Sequence, residues 1–235
     1  VAESLLTVDE LKSLVALDTP TICNALEVVA PQRRGFGYTT KPFVSARPQL
    51  PPIVGYARTA TIRAMHPSDR SADEMKEQRL AYYRYVSEGP RPSIMVIEDL
   101  DPTPGYGAYW GEVQSNLHKG LGCLGVVTDG CVRDIPQCAE GFQMLAGSVN
   151  PSHAYVHLET FDVQVSVHGM TVRPGDLIHA DQHGAVVIPL SVARQLPAAA
   201  ATIARREAVL IGASRRPDFS FEKLAQAIRE ADEIH

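Results

Sequence analysis

The sequence predicts a mixed, layered α/β domain with a central sheet flanked by helices. Two observations carry this expectation. Short β-prone runs alternate with helical patterns through the first half, and strands then cluster ahead of two closing helices. No internal repeat or linker interrupts the 235 residues, so 1–235 reads as one domain, large enough to bury a core while exposing about 10,000 Å².

Thr7-x-x-Glu10 is a capping box ahead of Leu11, Leu14 and Val15 and starts a helix. Thr19-Pro20 supplies an N-cap and first-turn proline for a second helix through Ile22, Leu26 and Val29. Residues 30–52 hold five prolines and two glycines and read as a long surface loop. A strand follows over 53–65, a helix over 71–86 and a buried strand over 93–97. Residues 105–111 read as a flexible glycine loop, 112–121 as a helix and 125–128 as another buried strand. Short β-prone stretches at 142–146, 163–167, 176–180 and 185–189 build the second half. Ser191 opens a long helix past Glu207, with Pro197 as a first-turn or kink residue. A last helix spans 219–231, so the C-terminal helices occupy 191–235.

Composition removes several function classes. A net charge of −5 offers no basic footprint for nucleic acid. No apolar run approaches the roughly 20 residues of a membrane span. The first ten residues carry three acids and no basic segment, unlike a signal peptide. Cys23, Cys123, Cys131 and Cys138 match neither a CxxC pair nor a zinc set and read as reduced, buried thiols. A cytoplasmic location is the expectation.

Chemistry concentrates in residues 105–136, GYGAYWGEVQSNLHKGLGCLGVVTDGCVRDIP. Gly105, Gly107 and Gly111 let backbone approach a ligand. The helix that follows offers free N–H groups and a positive dipole end for an anion. The strand at 124–128 leads through the Asp129-Gly130 turn to Arg133 and Asp134, in a loop after a strand end, where α/β sheets usually bind ligands. The blander reading makes Arg133 and Asp134 an exposed ion pair or helix cap, and Glu112 a first-turn acid. The glycines fit no dinucleotide loop, since Trp110 stands where the third glycine of GxGxxG belongs.

The segment resembles the signature of the RraA-like family, whose aldolase branch carries an acid, twenty residues, then Arg-Asp. Here residues 113–132 separate Glu112 from Arg133-Asp134. The pattern over 122–134 and the stretch PGDLIHADQHGAVVIP at 174–189 extend the likeness, which is strongest over 90–190. It implies a swivelling β/β/α-type domain and a metal-dependent pyruvate aldolase. Substrates would be of the 4-hydroxy-4-methyl-2-oxoglutarate or 4-carboxy-4-hydroxy-2-oxoadipate type, with oxaloacetate decarboxylation as a second activity. Asp134 would bind Mg²⁺ or Mn²⁺ directly, and Glu112 would hold a metal-bound water. Glu207 of a neighbouring subunit would hold another, in a homotrimer or homohexamer. Arg133 would grip the keto oxygen of the pyruvate unit. Backbone N–H groups of Gly111, Val113, Gln114, Ser115 and Asn116 would frame its carboxylate.

The family also contains non-enzymatic regulators that bind a ribonuclease. That alternative lacks the complete acid-x20-Arg-Asp set, which this chain has. Another metal-assisted lyase acting on a sugar acid or hydroxy acid is a further alternative. Three departures stand out: Glu112 is one methylene longer than the usual aspartate, His118 and Lys119 replace small or apolar residues, and the 30–52 loop is long. His118 reads as a structural histidine. Lys119 lacks the apolar surroundings that would make it a Schiff-base nucleophile. His179, Asp181 and His183 read as a turn between strands before a metal site, and Asp129-Gly130 likewise as a turn first, with orientation of Arg133 by Asp129 as the alternative.

Overall fold

The computed structural model describes residues 4–234, so the reading of the first ten residues falls partly outside it. Helix α1 (Val8–Val15) carries the Thr7–Glu10 capping box in full. In α2 (Thr19–Val29) the cap is Asp18, one residue earlier than expected; its carboxylate accepts the Thr21 N–H at 2.8 Å. Thr19 is thereby released for another task. Its N–H donates to Asp181 Oδ2 at 2.8 Å, and its hydroxyl lies 3.0 Å from His179 Nδ1.

Residues 30–52 lie over the domain but are anchored rather than free. Pro31–Arg33 forms a 3₁₀ turn, Tyr38 bridges to Val186, and β1 (Val44–Ser45) joins the main sheet. The strand β2 (Ile53–Arg63) then runs through the centre, buried on both faces until its last residue. Helix α3 (Ala72–Ser87), capped by Ser71, leads to β3 (Ser93–Asp99). The expected glycine loop contains a strand, β4 (Ala108–Trp110), before α4 (Glu112–Gly120) and β5 (Cys123–Thr128). Then follow β6 (Cys131–Val132), β7 (Gln143–Ala146), β8 (Ser148–Val149) and β9 (His157–Phe161). A hairpin of β10 (Val165–Val167) and β11 (Met170–Val172) precedes a second of β12 (Leu177–Asp181) and β13 (Gly184–Ile188). The long C-terminal helix is broken in two, α5 (Leu190–Ala193) and α6 (Leu196–Ser214), with Pro197 in the first turn of the latter; α7 (Phe221–Asp232) closes the fold.

The fold class is the one expected: mixed α/β, with a curled sheet and helices against it. The eight-stranded sheet has the order β1-β7-β5-β3-β2-β12-β13, with β9 added alongside β2. Strands β7, β5, β3 and β2 are parallel and the flanking ones antiparallel. Parallel strands need cover on both faces. One side is closed by α3 through Tyr82, Tyr85 and Val86, with Trp110 of β4 and Phe142 in the same cluster. The β10–β11 hairpin covers another stretch through Val167 and Met170, and α1, α2 and α6 pack over β12 and β13 through Leu14, Ile22 and Leu196.

The loops leaving the C-terminal ends of β3, β5 and β7 build a second, three-stranded parallel sheet in the order β4-β6-β8. The buried Asp99 and the half-buried Asp129 knit its base. Asp99 accepts N–H groups from Gly105 (2.7 Å) and Asp101 (3.0 Å), and Asp129 accepts the Asp99 N–H at 2.8 Å. Asp129 therefore holds β3 against β5 and does not reach Arg133. Burial first, with the neighbouring charge of Asp99 adding to it, pushes the Asp129 carboxyl up to about 6.

That shift sets a pH dependence. A carboxyl raised in the folded state binds more protons there than in the unfolded chain between pH about 4 and 6. Stability therefore falls as pH rises through that window. Asp129→Asn keeps the carbonyl acceptor for Asp99 and removes the charge. It is expected to be more stable than wild type at pH 8 by on the order of 1–3 kcal/mol, shrinking toward zero below pH 4. Urea unfolding at the two pH values measures it; an advantage independent of pH would show that the charge is not its source.

Candidate active site

The small sheet determines what meets at the site. Strand β4 delivers Gly111 and the start of α4, and β6 delivers Arg133 and Asp134. The two are joined by the Arg133 N–H donating to the Trp110 carbonyl at 2.9 Å. A cavity of about 380 Å³ opens at this point. Gly111, Glu112, Val113, Gln114, Arg133 and Asp134 form one wall. Met75, Gln78 and Arg79 of α3 and the 153–158 segment, with His153 and His157, form the other.

Gly111 serves as the N-cap of α4 without a side-chain cap, so the N–H groups of Glu112, Val113 and Gln114 have no helical partner. The Ser115 N–H is already taken by the Gly111 carbonyl at 3.0 Å. The free run of donors is therefore 112–114, which starts one residue and ends two residues before the 113–116 expected. Ser115 and Asn116 do not line the cavity. The Ser115 hydroxyl is buried and accepts the Ala139 N–H at 3.0 Å, and the Asn116 amide donates to the Glu112 carbonyl at 2.8 Å. Of the three glycines read as ligand-facing, Gly107 serves chain packing. A methyl added there would lie 2.4 Å from the His153 carbonyl oxygen. Gly111 is different: a methyl would lie 2.8 Å from Asp134 Oδ2, inside the site.

Arg133 and Asp134 do form the half-exposed ion pair of the blander reading, Nε to Oδ2 at 3.4 Å, but inside the cavity. Asp134 is held at φ 53°, a left-handed conformation that costs a non-glycine residue about 1 kcal/mol. Its carbonyl accepts the N–H groups of Gln137 (2.9 Å) and Cys138 (3.0 Å), closing a tight turn. Arg47 locks that turn from outside. Its guanidinium donates to the carbonyls of Ala139 (2.6 Å), Ile135 (2.9 Å) and Cys138 (2.7 Å). Sequence reasoning missed Arg47, because nothing in a proline-rich loop signals which turn it will clamp.

Other candidates resolve as structural. His118 is fully buried against Trp110. Its Nδ1 donates to the Gln114 carbonyl at 2.7 Å, leaving Nε2 to accept from the Tyr82 hydroxyl at 2.7 Å. Burial lowers it to about 4, so it stays neutral. Lys119 donates to the Glu140 carbonyl, away from the cavity. His179 donates through Nε2 to the carbonyls of Leu14 and Leu17, tying α1 and α2 to β12. The Asp181–Gly184 hairpin is the expected turn, and among the described residues no group of three His, Cys, Asp or Glu side chains could hold a metal. The four cysteines are free thiols, each raised first by burial, with Cys23 reaching about 11. Glu207 is exposed on α6 and does not line this cavity.

The family model described as RraA-like, aldolase/RraA, matches residues 19–187, more than two thirds of the chain. The chain belongs to the RraA-like family. A relative from Halalkalibacterium halodurans, named "Putative 4-hydroxy-4-methyl-2-oxoglutarate aldolase", is 28% identical over 139 residues, covering 56% of this chain and 65% of its own. Protein DlpA of Legionella pneumophila is 28% identical over 116 residues, 45% of this chain and 17% of that one. The chain thus spans less than two thirds of either relative. Streptomyces coelicolor RraAS2, described as an unusual member of the RNase ES inhibitor RraA protein family, superposes with a TM-score of 0.68 at 22% identity. That match covers 91% of this chain and 99% of the other and shows the shared fold. Within the RraA-like match, Glu112, Arg133 and Asp134 all fall inside residues 19–187.

Two substitutions probe the geometry. The Gly111 backbone is extended (φ −167°), a conformation open to any residue, so Gly111→Ala tests space alone. It is expected to leave stability within about 1 kcal/mol while weakening anion binding at least tenfold, read by calorimetry with oxalate. Arg47→Met removes three charge-assisted bonds. It is expected to cost about 2–3 kcal/mol in urea unfolding, with Arg47→Lys recovering part; an unchanged midpoint would show the clamp to be idle.

Proposed function

We propose that this chain is a divalent-metal-dependent carbon–carbon lyase, a pyruvate aldolase acting on a 4-hydroxy-2-oxo acid. Substrates of the 4-hydroxy-4-methyl-2-oxoglutarate or 4-carboxy-4-hydroxy-2-oxoadipate type suit it, and oxaloacetate decarboxylation would accompany cleavage. One observation carries the reading: a guanidinium, two carboxylates and uncapped helix N–H groups converge on one cavity.

The donors fit Mg²⁺ or Mn²⁺. Asp134 and Glu112 offer hard oxygen ligands, and two carboxylates suit an ion that keeps several waters. Asp134 would bind the ion directly and Glu112 through water, with Glu207 of a second copy as a further water-holding acid. The ion would supply Lewis-acid stabilisation of negative charge at the substrate's 2-oxygen. The chain's own groups do the rest. The N–H groups at 112–114 seat the C1 carboxylate. Arg133 donates to the keto oxygen and holds the charge that develops there when the C3–C4 bond, or the bond to departing CO₂, gives its electrons to an enolate.

Assembly into a homotrimer or homohexamer is part of the proposal. It is supported by the incomplete acid set of one chain and by 12119 Å² of exposed surface against the roughly 10,000 Å² usual for this size. Among the described residues no helix is long and apolar enough to cross a membrane. The free thiols suit a reducing, cytoplasmic setting.

Pyruvate release from oxaloacetate and a panel of 4-hydroxy-2-oxo acids, with Mg²⁺ and with excess chelator, tests the reading. Arg133→Lys keeps the charge but loses the planar fork. It is expected to lower kcat about 10²–10³-fold on both reactions without changing the oligomer. Full turnover in chelator removes the metal. No turnover and no oxalate binding in Mg²⁺ would replace the enzyme with the ribonuclease-binding regulator.

A further inference from the structure

The far wall of the cavity carries a cation that the pyruvate chemistry does not use. On α3, Met75, Gln78, Arg79 and Tyr82 stand at i, i+3, i+4 and i+7, one face of the helix. That face runs from the buried Tyr82 through the half-buried Gln78 to the exposed Met75 and Arg79 at the cavity's open side. Tyr82 is fully buried, the Gln78 amide donates to the Glu159 carbonyl at 2.9 Å, and Met75, Gln78 and Arg79 line the cavity. Arg79 is the charged member of this stripe, yet makes no hydrogen bond or ion pair among the described residues. Neighbouring cations are engaged: Arg70 pairs with Glu159 at 3.4 Å, and Arg133 with Asp134. Arg79 also lies close enough to Tyr83 and Tyr109 for its charge to act on both hydroxyls. Tyr83, one helical turn on from Arg79, donates to the Gln114 side chain at 2.9 Å, which ties the α3 wall to the anion-binding start of α4.

The cavity, about 380 Å³, is of the size of small-metabolite sites and exceeds what the six heavy atoms of a pyruvate unit fill. Its remaining lining includes Met75, Val156 and Leu158, which suits a short carbon chain. Resting on the 2-oxo acid reading above, we propose that Arg79 is the specificity-determining residue for a second, distal carboxylate. The distal carboxylate of a 2-oxo dicarboxylate substrate would lie at Arg79 while its C1 end is held by the 112–114 N–H groups and Arg133. A planar guanidinium matches a carboxylate with two parallel bonds, which a neutral amide cannot supply.

Calorimetry in Mg²⁺ with two non-reacting ligands tests this. Oxalate occupies only the proximal end; 2-oxoglutarate adds a distal carboxylate and, without a 4-hydroxyl group, cannot undergo retro-aldol cleavage. Arg79→Gln is expected to weaken 2-oxoglutarate about 10–100-fold and to leave oxalate within about twofold. Arg79→Lys is expected to recover part of the loss, and the wild-type preference for 2-oxoglutarate over 2-oxobutyrate should vanish in Arg79→Gln. If wild type binds oxalate but 2-oxoglutarate binds Arg79→Gln as tightly as wild type, the distal role is wrong. A parallel loss of both ligands overturns it too, since the effect is then not distal. If wild type binds no oxalate at all, the 2-oxo acid reading itself falls, and this inference with it.

Discussion

One backbone hydrogen bond organises the site: the Arg133 N–H to the Trp110 carbonyl. It is a rung of the small parallel sheet, and it fixes the exit of β4 beside the exit of β6. Every group at the proximal end follows from that juxtaposition. Glu112 and the uncapped N–H groups come from the strand-to-helix transition after Trp110. Arg133 and Asp134 come from the turn after Val132. The twenty residues between them are the rest of helix α4, the strands β5 and β6 and their joins, a crossover that brings the chain back parallel to where it left.

The rung is held from beneath and from outside by different physics. Beneath, Trp110 is fully buried, stacked on Phe142 at 5.7 Å and packed against His118. Aromatic burial of this kind resists rotation of β4, and the neutral His118 spends both ring nitrogens on Gln114 and Tyr82. Outside, Arg47 satisfies three carbonyls of the turn that follows Asp134. Asp134 sits in a left-handed conformation that the turn alone would not favour, so its position depends on that clamp. The long 30–52 loop thus acts on the site through one side chain.

Charge is arranged along the cavity rather than spread through it. Glu112, Asp134 and Arg133 line the cavity from the α4 and β6 exits and Arg79 lines it from α3, with Met75, Val156 and Leu158 as apolar lining. Such a layout orders a ligand by its own charges, and the proposed reaction needs that order. The C1 carboxylate and keto oxygen must meet one set of donors while the bond that breaks lies beyond them.

Local sequence determined a good deal. The capping boxes of α1 and α3 need only residues three apart, so both helix starts are legible. The apolar runs of β2, β3 and β5 mark strands buried on both faces, and the Glu112-x20-Arg133-Asp134 register, read with the resemblance, pointed to the family. Tertiary structure decided the rest, because the interactions involved join residues far apart in the chain. Strand β4 hides in a glycine-rich segment, since it is made by pairing with β6 and not by β propensity. Thr19 and Asp18 both suit an N-cap, and only the buried hydrogen bonds of Thr19 to His179 and Asp181 settle which one caps. Arg47 lies 86 residues from Arg133 in sequence and Arg79 lies 54, with no periodicity linking them. Their places were set by how the loop and α3 pack over the end of the sheet, and no local pattern of side chains encodes that.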